Sequence, residues 1–198
     1  MGDFRLQNGA GPAYFTEVLS NGRAKTDSVT RSHAQDESLS GNSFNINTGT
    51  INLTSANATA ALYVKNNGTD AMIIEDYFYL IGNSTNGSGD MLIEILRNPT
   101  TGTIIDGATD ADIAGVNRNF GSSKTLTADI YKGAEGNTFT NGTAFLYSIF
   151  NQAPTRARLD AKATVLNKGD SIGFRITPAT SNTSLDVQFA MAVHTEAI

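Results

Sequence analysis

Along most of the chain, apolar and polar residues alternate in short runs, and each run is closed by Gly, Asn, Asp or Pro. The clearest run is near the end, where Leu185, Val187, Phe189 and Met191 share one face and Asp186, Gln188, Ala190 and Ala192 the other. A period of two puts successive side chains on opposite sides of a pleated strand. The same reading predicts strands at Phe44–Ile46 with Ile51–Leu53, then at 61–65, 72–81, 91–97, 126–131, 143–150, 158–166, 171–177 and 185–193. Turn residues separate them at intervals of roughly 10–20 residues, the spacing of an all-β sandwich. Antiparallel sheets with about eight strands and long connections imply a jelly roll. An immunoglobulin-like sandwich is the alternative, but it is shorter and usually carries a core Trp, which this chain lacks. Only ATDADIAG, between Gly107 and Gly121, allows a short helix within this region.

The first forty residues break the pattern. Their apolar residues, Phe4, Leu6, Tyr14, Phe15, Val18 and Leu19, are scattered, and Asn8-Gly9-Ala10-Gly11-Pro12 interrupts any regular element. Asn21-Gly22 is a turn signal that predicts one small hairpin, and the polar stretch from Thr30 to Ser40 holds at most a short helical turn. The chain therefore divides into an extended N-terminal arm, 1–41, and a β-sandwich body, 42–198. A body of that size buries about 70% of its unfolded surface and needs no disulfide or metal to be stable.

Composition narrows the chemistry. The 198 residues contain no Cys and no Trp, 19 Gly, and only 17% charged residues. Disulfides, thiolate zinc sites and iron–sulfur clusters are thereby excluded. The net charge of −5 and the thin scatter of basic residues argue against nucleic acid, which is bound through clustered Lys and Arg. The closest basic group, Arg156, Arg158 and Lys162, is explained equally by alternation on one strand face. No apolar run approaches the length of a membrane span, and MGDFRLQNGAGP lacks the regions of a signal peptide. The sequons, such as those at Asn52, Asn67 and Asn141, occur about as often as so much Asn, Ser and Thr produces by chance.

No catalytic or metal-ligating set emerges. His33 and His194 lack a second His or Cys at ligand spacing, so each reads as a surface histidine in a flexible or terminal segment. Glu75 and Asp76 are neighbours on a strand and point to opposite faces. Asp110-x-Asp112, with Asp106 close by, resembles the start of a calcium loop but lacks the later bidentate Glu. Tyr77, Phe78 and Tyr79 alternate faces and read as core and rim. The expectation is a protein with no cofactor, no metal and no enzymatic activity.

One resemblance adds a function. The arm, with Gly9-Ala10-Gly11-Pro12-Ala13-Tyr14, Val18 and Asn21-Gly22-Arg23-Ala24, leads through a polar stretch to Gly41-Asn42-Ser43-Phe44-Asn45-Ile46. This layout resembles virion structural proteins of tailed bacteriophages, in which an N-terminal arm precedes a β-sandwich. Asn167-Lys168-Gly169-Asp170-Ser171-Ile172 and the 185–193 strand are similar to features of viral and trimeric jelly rolls. The resemblance implies a head decoration, cement or head-fibre protein on the capsid exterior, made in the host cytoplasm and binding the major capsid protein and copies of itself, as a homotrimer. The arm residues Phe4, Leu6, Tyr14, Phe15, Val18 and Arg23 are the expected interface. A Cys-free chain suits folding in a reducing cytoplasm. A carbohydrate- or receptor-binding module of a phage fibre or tail is the alternative, and the absence of Trp counts against it. Thermal melting should give the same midpoint with and without EDTA; a fall of several degrees on chelation would reveal a bound metal, because a ligand of the native state alone raises its stability.

Overall fold

The computed structural model describes residues 5–6, 14–15, 32–84, 89–105, 111–152, 155–159 and 164–197. The chain forms two compact units, Met1–Ser32 and His33–Ile198. In the first, β1 (Arg5–Leu6) pairs antiparallel with β2 (Tyr14–Phe15), with Leu6 opposite Tyr14. The hairpin expected at Asn21-Gly22 lies outside the described residues.

The second unit opens with α1 (His33–Leu39), upstream of the Asn42 boundary read from alternation. Seven residues are too few for an isolated helix to persist in water, so its packing on neighbouring strands and its end cap must hold it. The cap is a Schellman motif: Asn42 N donates to Glu37 O at 2.8 Å, Gly41 N donates to Ser38 O at 3.1 Å, and Gly41 takes φ 75°. Only a residue without Cβ adopts that φ freely, which is why a polar segment ends here cleanly.

The strands follow in chain order: β3 (Ser43–Asn47), β4 (Ile51–Leu53), β5 (Thr59–Asn66), β6 (Ala71–Ser84), β7 (Asp90–Arg97), β8 (Ala111–Asp112), β9 (Val116–Asn117), β10 (Ala128–Lys132), β11 (Thr143–Asn151), β12 (Thr155–Leu159), β13 (Thr164–Leu166), β14 (Ser171–Thr177) and β15 (Leu185–Glu196). One sheet runs β11-β7-β14-β5-β10-β8. The other runs β12-β6-β15-β3-β9, with β13 continuing β12 along β6 and β4 continuing β3 along β15. The pairings among the described residues are antiparallel. The two antiparallel sheets, with most successive strands switching from one to the other, form a β-sandwich. The expected strand over 158–166 is two short strands, and β8 stands where the sequence allowed a short helix.

The core lies between the two sheets. Leu185, Val187, Phe189, Met191 and Val193 of β15 meet Ile172, Phe174 and Ile176 of β14, joined by Ile46, Leu62, Ile74 and Ile93. The Phe174 and Phe189 rings cross the interface at 5.6 Å with a 54° tilt, a favoured aromatic geometry. A second cluster covers the outer side of the six-stranded sheet. There Tyr63 stacks on Tyr131 at 5.8 Å, and Phe139 and Ile104 pack beside them from the connecting loops. Gly173 makes room for this cover, since a Cβ there would meet the Phe139 ring at 2.6 Å. Burial pushes the Tyr63 phenol above its ordinary pKa. Phe189→Ala should cost roughly 3–5 kcal/mol in urea unfolding, because it opens a cavity at the contact between the sheets.

Candidate functional site

Strand β11 forms one edge of the six-stranded sheet and is thinly covered. Its side chains alternate between exposed and half-buried, and none is fully buried. Ile149 is 68% exposed and Tyr147 62% exposed, both on the outer face. Register with β7 shifts between Ala144 and Leu146, so Phe145 is a bulge residue. A bulge at a sheet edge re-aims a side chain, and here Phe145 is half-exposed at a groove beside Val165 and Leu166.

Next to this strip lies a row of polar groups across the sheet. Glu94 stands opposite both Tyr147 of β11 and Arg175 of β14. Arg175 donates from Nε to Glu94 Oε2 at 2.6 Å and from its second terminal nitrogen to Oε1 at 2.8 Å. This two-point pairing raises the Arg175 pKa and satisfies both oxygens of a buried carboxylate. The signal was present in the sequence as one charge inside each of two apolar strands, MLIEILR and SIGFRIT.

A second polar cluster sits on the outer face of the seven-stranded sheet. His194 Nδ1 lies 2.9 Å from Glu75 Oε1, and Arg118 donates to Glu75 Oε2 at 2.9 Å. His194 is only 5% exposed and lies within β15, so the surface histidine expected from sequence is instead a buried one. The reason is cover: α1 packs on β3 and β15. Glu75 reaches it because the β6–β15 register shifts between Ala192 and Val193, leaving Glu75 as an extra residue of β6. The bulge breaks the strict alternation assumed for Glu75 and Asp76. Ser43 stands opposite His194 in the ladder, which places Ser, His and Glu in one neighbourhood. The Ser43 hydroxyl is buried without a hydrogen-bond partner, so it is neither linked to the imidazole nor open to a substrate. A nucleophile requires both. The cluster ties β6, β15 and the 118 loop together.

A third feature is a polar cleft of about 300 Å³ at one end of the sandwich, lined by Asn42, Asn66, Thr69, Asp70 and Lys124 among others. Among the described residues, no three His, Asp or Glu side chains gather at metal-binding distance, and no helix is long and apolar enough to cross a membrane. Glu135 acts as a loop clamp, its carboxylate held below the ordinary pKa by hydrogen bonds from Thr54 and Ser55.

Of the residues singled out in the arm, Phe4, Val18 and Arg23 lie outside the described residues. Leu6, Tyr14 and Phe15 fall in the β1–β2 pair. Asp106 and Asp110 lie outside, and Asp112 is in β8, paired with Tyr131. His33 opens α1. The side chain of Asn141 is engaged internally, accepting from Thr100 N at 2.8 Å and Thr101 N at 3.0 Å.

No protein-family model and no curated protein sequence matches the chain. Arg175→Met should destabilise the fold by roughly 2–4 kcal/mol by leaving the Glu94 carboxylate buried and unpaired, somewhat discounted because the Arg175 side chain is 28% exposed. The double variant Glu94→Leu with Arg175→Met should recover most of that loss in urea midpoints, since it removes both charges together.

Proposed function

We propose that this protein is a non-enzymatic structural component of a tailed-bacteriophage virion that decorates or cements the capsid exterior as a homotrimer, anchored in part by its N-terminal arm. The observation that carries the reading is the set of large apolar side chains left in water by an otherwise well-packed sandwich: Phe120 at 95% exposure, then Ile149 and Tyr147. Contiguous apolar surface, such as Tyr147 and Ile149 two residues apart on β11, marks a place where another protein sits. The arm supports the same reading from sequence. Residues 1–31 carry four basic and three acidic side chains against an acidic body, and hold Phe4, Leu6, Tyr14, Phe15 and Val18. A capsid repeats one site many times, so modest contacts from a body and an arm add up through multivalency.

The polar cleft favours a second reading, a carbohydrate- or receptor-binding module of a fibre or tail. Asn, Thr, Asp and Lys side chains around about 300 Å³ can exchange hydrogen bonds with sugar hydroxyls.

Binding to purified capsids that lack the protein separates the two. No Lys or Arg lies between Ser32 and Val64, so trypsin yields a body beginning at Ser32. Full-length protein should saturate the capsids, and the 32–198 body should bind them at least tenfold more weakly. Equal binding by the body removes the arm as anchor. No capsid binding by full-length protein, together with a specific signal on a glycan array, favours the module.

A further inference from the structure

Three side chains are joined in a line where α1 and β3 meet the loop after β9. Lys124 Nζ donates to Asn42 Oδ1 at 2.7 Å, and Asn42 Nδ2 donates to Glu37 Oε2 at 2.7 Å. An ammonium only donates and a carboxylate only accepts, so the two bonds fix which end of the Asn42 carboxamide faces which partner. An amine thus lies against the carbonyl of an amide, and a carboxylate holds the nitrogen of that same amide. Asn42 and Glu37 are half-buried, and Lys124 reaches them from the exposed side.

The backbone holds the three together. The cap at Gly41 turns Asn42 back so that its N–H meets Glu37 O at 2.8 Å, and Thr195 N donates to Asn42 O at 2.9 Å. On the other side, Asn117 Nδ2 donates to Gly41 O at 2.8 Å and to Lys124 O at 3.1 Å, which lays residue 124 beside residue 41. The loop is braced by its own asparagines: Asn119 N donates to Asn117 Oδ1 at 2.8 Å, and Gly121 N to Asn119 Oδ1 at 3.1 Å. Asn119 Nδ2 also ties it to Leu39 O at 2.9 Å. The two segments are in such close contact that a Cβ on Gly41 would meet the Ser122 Cβ at 2.8 Å. Asn42 and Lys124 both line the polar cleft at this end of the sandwich.

The geometry points to an intrachain isopeptide bond between Lys124 Nζ and Asn42 Cγ, formed with the help of Glu37. A small turn of the flexible lysine stem carries Nζ from Oδ1 over Cγ. The deprotonated amine attacks there, the Nζ–Cγ bond forms and the Cγ–Nδ2 bond breaks. Nζ gives up two protons in all and Nδ2 gains two, leaving as ammonium; the Glu37 carboxylate on Nδ2 is placed to pass protons to it. One amide replaces another, so no oxidant, reductant or activated co-reactant is consumed, and loss of ammonium through the cleft draws the exchange forward. Holding amine and carbonyl in contact supplies the proximity that separate side chains lack. The bond joins positions 82 apart in the chain, which restricts the unfolded state and stabilises the fold. It goes beyond the proposed function and does not rest on it.

Trypsin and mass spectrometry read the bond directly. An acylated Lys124 is no longer cleaved, so the full-length protein should yield one branched peptide, 32–65 joined to 119–132. Its mass should fall short of the two peptides' sum by one ammonia, about 17 Da. A succinimide at an Asn-Gly step loses the same mass but leaves the peptides separate, so the branched species decides. Lys124→Arg keeps the charge and removes the amine; it should give separate peptides and a Tm lower by several degrees, with unchanged far-UV circular dichroism. Glu37→Gln keeps an acceptor for Asn42 Nδ2 without a carboxylate, and should slow bond formation by about a hundredfold. If full-length protein held for days at mildly alkaline pH gives only the separate peptides, the bond does not exist. If the branched peptide comes only from covalent multimers on a denaturing gel, the bond joins copies and the intrachain assignment is wrong. If Glu37→Gln forms it at the unaltered rate, the role given to Glu37 is wrong.

Discussion

The ladder between β6 and β15 is the constraint on which the rest depends. β15 pairs with β6 from Leu185 to Glu196, and its other edge takes both β4 and β3. Its inward residues fill the core, and Phe189 meets Phe174 of the opposite sheet. Register along this one strand thus fixes which side of every neighbour faces inward. The two shifts in that register are equally consequential, because one of them delivers Glu75 to His194 and Arg118.

Much of this architecture was legible in the sequence because alternation is a direct readout of a strand with one face in the core. Leu185, Val187, Phe189 and Met191 are all buried as their spacing requires. Alternation is silent about what lies over the outer face. β5 is buried almost continuously, because Phe139 and Ile104 arrive from loops far along the chain to cover Tyr63. For the same reason His194 looked like a terminal surface residue. Its burial depends on α1, a short polar helix whose presence is fixed by the Gly41 cap and by tertiary packing rather than by propensity.

The candidate surfaces were less legible still. Phe120 is one aromatic residue between Asn119 and Gly121, a context that signals an exposed tip but says nothing of its rigidity. That rigidity comes from asparagine side chains standing in for backbone donors and acceptors. The same chemistry recurs at Asn66, Asn98 and Asn182, each tying two distant segments together. The abundance of Asn, which reads as mere turn composition, is the means by which long connections are held in a single conformation.

The position of β15 in the order of synthesis has a consequence for how the protein is made. Its partners β3, β4 and β6 emerge from the ribosome more than a hundred residues earlier and must wait for the central strand that joins them. Until residues 185–196 are free, β6 lacks its longest neighbour and the Phe174 ring lacks the ring it packs against. Contacts of such long range close slowly, because loop-closure entropy must be met before they form. A chain that lacks residues 185–196 has no strand to join β6 to β3 and β4, so the C-terminal strand is the piece that closes the seven-stranded sheet into one body.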